Sequence, residues 1–160
     1  MKTYKLLTPG PLTTTDSVKQ EMLFDHCTWD EDYKQITQRI RRELLQLAHV
    51  DETAYTTVLM QGSGTFGVES VISSVIPDDG CLLLLSNGAY GERIAAMCRY
   101  HHIRCVHIAQ DYDKIPDRMK AEEALKQHPE ITHIAMIHSE TTTGILNDIQ
   151  SIGELAKTYH

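Results

Sequence analysis

Cys81-Leu82-Leu83-Leu84-Leu85-Ser86, followed at once by Asn87-Gly88, decides the fold. The run carries no charge, has the length of a strand and is too short for a helix; the Asn-Gly pair that closes it favours a turn. A strand that is apolar on both faces has to be covered on both. That is the situation of a parallel sheet between two helical layers.

The chain on either side follows the same alternation. Downstream, the pattern predicts a helix to about Tyr100, a strand over 104–108, a helix over 117–127 and a strand over 132–137. A Thr-rich loop follows, and residues from Ile149 onward are helical. Upstream, residues 56–60 read as a short strand, Gly62-Ser63-Gly64-Thr65 as a turn, and the segment through about Val75 as a helix. The fold class expected is α/β: a mostly parallel sheet with helices on both faces, occupying residues 51–160. Residues 1–50 form an N-terminal arm and helices. Pro9, Gly10 and Pro11 keep Leu6-Leu7-Thr8-Pro9-Gly10-Pro11-Leu12 out of a helix. A short helix over 17–23 can be capped by Thr15 or Asp16. A longer one over 33–49 carries an apolar stripe of Ile36, Ile40, Leu44, Leu47 and Ala48.

Composition narrows the function. The formal charge is −7 and no Lys/Arg cluster offsets it, which argues against a nucleic-acid or anionic-membrane partner. No segment approaches the roughly 20 apolar residues of a membrane span, and the first residues lack a signal-peptide core. The four cysteines, Cys27, Cys81, Cys98 and Cys105, have neither CxxC nor zinc-like spacing. A reducing, cytoplasmic setting is expected, with no metal.

Three stretches at element junctions carry the candidate chemistry. In Gln61-Gly62-Ser63-Gly64-Thr65-Phe66-Gly67-Val68-Glu69, glycines allow close backbone approach, the helix N-terminus favours an anion, and two hydroxyls add donors. No GK[ST] follows, so it is not a P-loop. Gly62-x-Gly64-x-x-Gly67 does match the dinucleotide pattern. Alone, the stretch is equally a cradle for a phosphate-bearing ligand and a plain Gly-rich turn. Ser86-Asn87-Gly88-Ala89-Tyr90-Gly91-Glu92-Arg93 sits at a strand's carboxyl end, where ligands of open α/β sheets bind. Tyr90 there either faces an aromatic ligand or packs locally. His138-Ser139-Glu140-Thr141-Thr142-Thr143-Gly144 offers adjacent hydroxyls as ligand donors or as a structural turn. The convergence of the three outweighs each alone.

Together with Leu7-Thr8-Pro9-Gly10-Pro11, these stretches resemble, in residues, order and spacing, the class V, fold-type I aminotransferases that use pyridoxal 5'-phosphate (PLP). Asp25-His26-Cys27-Thr28-Trp29-Asp30 looks like the branch that transaminates 2-aminoethylphosphonate with pyruvate. The resemblance covers the whole chain but only the first part of a family member. It implies that Ser63, Gly64 and Thr65 hold the cofactor phosphate. It further implies that Tyr90 stacks on the pyridine ring, that Thr141 and Thr143 bond the ring substituents, and that Thr8, Pro9 and Gly10 line the substrate pocket. A homodimer is implied as well. The lysine and the acid that PLP chemistry needs lie, in the family, downstream of Glu140-Thr141-Thr142-Thr143-Gly144. Both are expected beyond His160, which leaves this chain alone inactive.

The alternatives are an alanine–glyoxylate or serine–pyruvate type aminotransferase, a non-catalytic fragment, and a nucleotide-binding Rossmann-like module. A Rossmann unit needs an acid at the end of its second strand, about 20 residues past the glycines. Ser86-Asn87 stands there instead.

Overall fold

The computed structural model describes residues 4–8, 10 and 12–159. Two compact units divide at Gln61 and Gly62.

In the first unit, the arm closes on itself through a Leu7–Leu12 bridge, and Thr13 N–H donates to the Leu6 carbonyl at 3.0 Å. Helices α1 (Asp16–Glu21) and α2 (Glu31–Leu47) follow. Thr15 and Asp30 occupy their N-cap positions without making a side-chain cap bond. Neither helix contains a buried residue: the predicted stripe of α2 is a real stripe, but Ile36, Ile40, Leu44 and Leu47 are all exposed. Trp29 is 82% exposed.

The strand expected over 56–60 does not form. A strand needs a ladder partner, and among the described residues this segment has none. It is tied instead to α2: Arg41 donates to the Thr57 carbonyl at 3.0 Å and to Thr56 Oγ1 at 2.7 Å, and Thr57 Oγ1 donates to the Arg41 carbonyl.

The second unit runs α3 (Gly64–Val75), β1 (Cys81–Ser86), α4 (Ala89–Tyr100), β2 (Arg104–Ala109), α5 (Arg118–Gln127) and β3 (His133–Met136). It continues through β4 (Ser139–Glu140), β5 (Ile145–Leu146) and α6 (Ile149–Tyr159). The α/β expectation holds. β1 lies between β2 and β3, parallel to both, with Leu84 opposite His107 on one side and Ala135 on the other. The Thr-rich loop is in fact a small antiparallel hairpin, β4 with β5.

Strand alternation splits the leucines of β1 between two cores. Leu82 and Leu84 pack with Ile72 and Ile76 at the end of α3, and with Ile94, Ala95 and Cys98 of α4. Leu83 and Leu85 pack with Ala121, Ala124 and Leu125 of α5 and Ile152 and Leu155 of α6. Each of these leucines is at most 2% exposed, so each contributes about 2 kcal/mol of burial. From β1 the chain crosses through α4 to β2; from β3 it leaves through the hairpin to α6 on the opposite face. The carboxyl ends of β1 and β3 therefore flank the point where strand order reverses, the usual ligand position in such sheets.

Candidate functional site: an anion cradle joined to two strand ends

Ser63 caps α3. Its Oγ accepts from the Phe66 N–H at 3.2 Å, which leaves the hydroxyl hydrogen free to donate. The N–H groups of Gly64 and Thr65, in the first turn, have no intrahelical partner, and no acid stands in that turn. A Cβ at Gly64 would meet nothing within 4 Å, so the backbone faces open space. At Gly62 a Cβ would collide with the Phe66 ring, which is why the turn needs glycine there. Two free N–H groups, two hydroxyls and a positive helix end are a donor set of the kind an oxyanion needs.

The second loop is built by a cap from a distance. Gly88 precedes α4 and has no side chain to cap it; the cap comes from Glu140 on the hairpin. The Glu140 carboxylate is fully buried and accepts from Tyr90 N–H at 3.3 Å, Gly91 N–H at 3.2 Å, Thr142 N–H at 3.3 Å and Thr142 Oγ1 at 2.7 Å. Ala89 N–H donates to Thr142 Oγ1 at 3.3 Å. Any Cβ at Gly88 would overlap the Glu140 side chain. Burial pushes the Glu140 carboxyl up, but the bonds from the Thr142 hydroxyl and the Gly91, Tyr90 and Thr142 amides outweigh it. The carboxyl is held below the ordinary glutamate range.

Two further clusters fix the strand ends. Asn87 and Asn147, both buried, exchange amide bonds at 2.9 Å in each direction; Asn87 also donates to the Lys114 carbonyl and Asn147 to that of Ile137. Ser86 Oγ donates to Glu92 Oε1 at 2.7 Å and lies 2.7 Å from His107 Nε2. A Cβ at Gly91 would come within 2.5 Å of Ser86 Cβ, so the first turn of α4 sits directly on the end of β1.

Of the residues singled out in the sequence, Ser63, Gly64, Thr65 and Tyr90 come together. Arg93 joins them, donating to Thr65 Oγ1 at 2.8 Å with its guanidinium carbon 4.8 Å from the Tyr90 ring centroid. Thr143 serves the hairpin turn, its Oγ1 bonded to the Glu140 carbonyl and the Ile145 N–H at 3.4 Å each. Thr141 is exposed and hydrogen-bonds no other described side chain. Thr142, between them, is the one turned to the α4 N-terminus. Thr8 and Gly10 are exposed in the first unit's arm, and Pro9 lies outside the described residues.

Glu140, Thr142, Arg93 and Asn147 were not among the residues singled out. The first three lie inside the quoted stretches, and a helix start at a bare glycine is itself a signal that its cap comes from another segment. Asn147 carried no such signal. Among the described residues no His/Cys/Asp/Glu group is arranged to hold a metal, and no helix is long and apolar enough to cross a membrane.

This fold is that of the fold-type I aminotransferases. The crystal structure of pyridoxamine–pyruvate aminotransferase from Mesorhizobium loti superposes with a TM-score of 0.84 at 23% identity, covering 98% of this chain and 39% of that one. Alanine–glyoxylate aminotransferase from Nostoc sp. gives 0.85 at 22% identity, covering 99% and 42%. In sequence, the resemblance is narrower. The 2-aminoethylphosphonate–pyruvate transaminase of Lysinibacillus sphaericus is 54% identical over 160 residues, 100% of this chain and 44% of its own length. That of Bacillus cytotoxicus is 53% identical over 156 residues, covering 98% and 43%. The chain thus spans less than half the length of the curated relatives it matches. No family model matches it.

Proposed function

We propose that this chain supplies the cofactor-phosphate half of a PLP-dependent aminotransferase that converts 2-aminoethylphosphonate and pyruvate to phosphonoacetaldehyde and L-alanine, working as a cytoplasmic homodimer. The observation that carries the reading is the cradle at the start of α3, in a chain 54% identical along its whole length to transaminases of that name.

The residues present fit PLP. Its phosphate ester needs donors and a positive field, and the first turn of α3 offers the Gly64 and Thr65 N–H groups with the Ser63 and Thr65 hydroxyls. Both hydroxyl oxygens already accept a bond, from Phe66 N–H and from Arg93, so each has its hydrogen left for a phosphate oxygen. Tyr90, 37% exposed at the mouth of β1, presents an aromatic ring to the pyridine. When bound, the cofactor supplies the electron sink that makes the substrate Cα proton removable. This chain's residues anchor the phosphate and orient the ring. The substituent contacts at Thr141 and Thr143 and the pocket at Thr8, Pro9 and Gly10 rest on the resemblance.

No lysine among the described residues hydrogen-bonds to Ser63, Thr65, Tyr90 or Arg93. Lys19, Lys34, Lys114 and Lys126 are engaged in surface ion pairs. The assignment of the lysine chemistry to other chain rests on the resemblance. The test is alanine formation from 2-aminoethylphosphonate and pyruvate, by this chain alone and by this chain joined to the remaining length of the L. sphaericus relative. The joined protein should form alanine only when the phosphonate is the amino donor, and the chain alone should form none. A joined protein that prefers alanine with glyoxylate would refute the substrate assignment.

A further inference from the structure

We infer that Arg93 is the positioning residue that makes the cradle selective for a phosphorylated ligand, by directing the Thr65 hydroxyl and orienting the Tyr90 ring together. This rests on the reading of the cradle as the PLP-phosphate site, and it goes beyond that reading by naming what organises it.

Three observations carry it. Arg93 spans two loops: it donates to Thr65 Oγ1 at 2.8 Å while its guanidinium lies over the Tyr90 ring at 4.8 Å. Tyr90 and Arg93 are three apart on α4, hence on one face of the helix. Second, Arg93 forms no ion pair among the described residues. Its neighbour Glu92 is turned to Ser86 Oγ and lies 3.4 Å from His107. A cation left uncompensated beside a helix N-terminus adds to the positive field there. Third, a bond from a guanidinium into a hydroxyl oxygen occupies one of its two lone pairs and polarises its O–H. The remaining hydrogen points to an acceptor, and a phosphate oxygen is the strongest one available.

The test uses the full chain and two probes, PLP and pyridoxal, which lacks the phosphate ester. The dissociation constant of each is measured by absorbance for the unaltered chain, Arg93→Gln, Arg93→Lys, Thr65→Val and the Arg93→Gln/Thr65→Val pair. Removing a charge-assisted bond at an anion should raise the PLP constant by about 10- to 100-fold in Arg93→Gln, with pyridoxal within about threefold. Arg93→Lys should recover part of the preference for PLP, since it keeps the charge and loses the planar fork. Because both act through one hydroxyl, the double variant should lose less than the product of the single losses. Equal losses for both ligands, or fully multiplicative losses in the pair, would overturn the inference and leave the cradle intact. An unaltered chain with no preference for PLP over pyridoxal would overturn the cradle reading and this inference with it.

Discussion

At Gly88 the backbone is bare, and the Glu140 side chain fills the space where a Cβ would be. A buried carboxylate with four donors around it is stable only while it is ionised and all four bonds hold. A carboxyl held below its ordinary value contributes its full stability above the unfolded-state glutamate value and loses it as pH falls through the lower folded value. Urea midpoints of the chain should therefore drop on acidification through and below the ordinary glutamate range. Glu140→Gln keeps the shape but turns an amide NH2 toward N–H donors. It should cost about 2–3 kcal/mol at pH 7 and flatten the acid decline. Parallel declines in the two proteins would show that Glu140 is not the titrating cap. The half-buried Cys105 thiol is shifted the other way: burial first, then the neighbouring Cys98 and Cys81 thiols, push it up to about 12. At this scale the sequence marked the candidate loops but not which atoms join them. The Ser63 cap is local and readable; the Glu140 cap spans 49 residues to Gly91 and depends on sheet order.

Elements divide by how they bury their apolar faces. In β1 an unbroken apolar run was enough to place both cores, because only a central strand needs it. The same reasoning failed at 56–60, where the residues favour a strand but the described chain supplies no neighbour to pair with. Helix ends were also hidden. α2 and α4 are each followed by a left-handed residue, His49 with φ 54° and His102 with φ 57°, where glycine is the usual sign. Leu84→Ala, in the core, should cost about 3 kcal/mol of unfolding free energy. Leu44→Ala, on the uncovered stripe of α2, should change it by less than about 0.5 kcal/mol. Guanidinium unfolding of the two variants checks this, and equal costs would mean that α2 is packed in solution.

For the whole molecule, the α/β class and the direction of the strands were legible, since a parallel sheet is the way to cover a strand like β1 on both faces. The fold places three polar stretches, distant in sequence, within hydrogen-bond reach through Thr142 and Arg93. Fold and sequence comparisons agree on the aminotransferases, over a length that is 44% of the L. sphaericus relative. The contribution proposed for this chain is a phosphate anchor, with the lysine supplied by other chain. The most direct test is to titrate PLP into the chain and into a Ser63→Ala/Thr65→Val variant, following the visible spectrum before and after borohydride. Saturable binding to the unaltered chain is expected, displaced by inorganic phosphate, lost in the variant and leaving no lysine modified after reduction. Binding unchanged in the variant, or one lysine fixed to PLP at a single site, would contradict it.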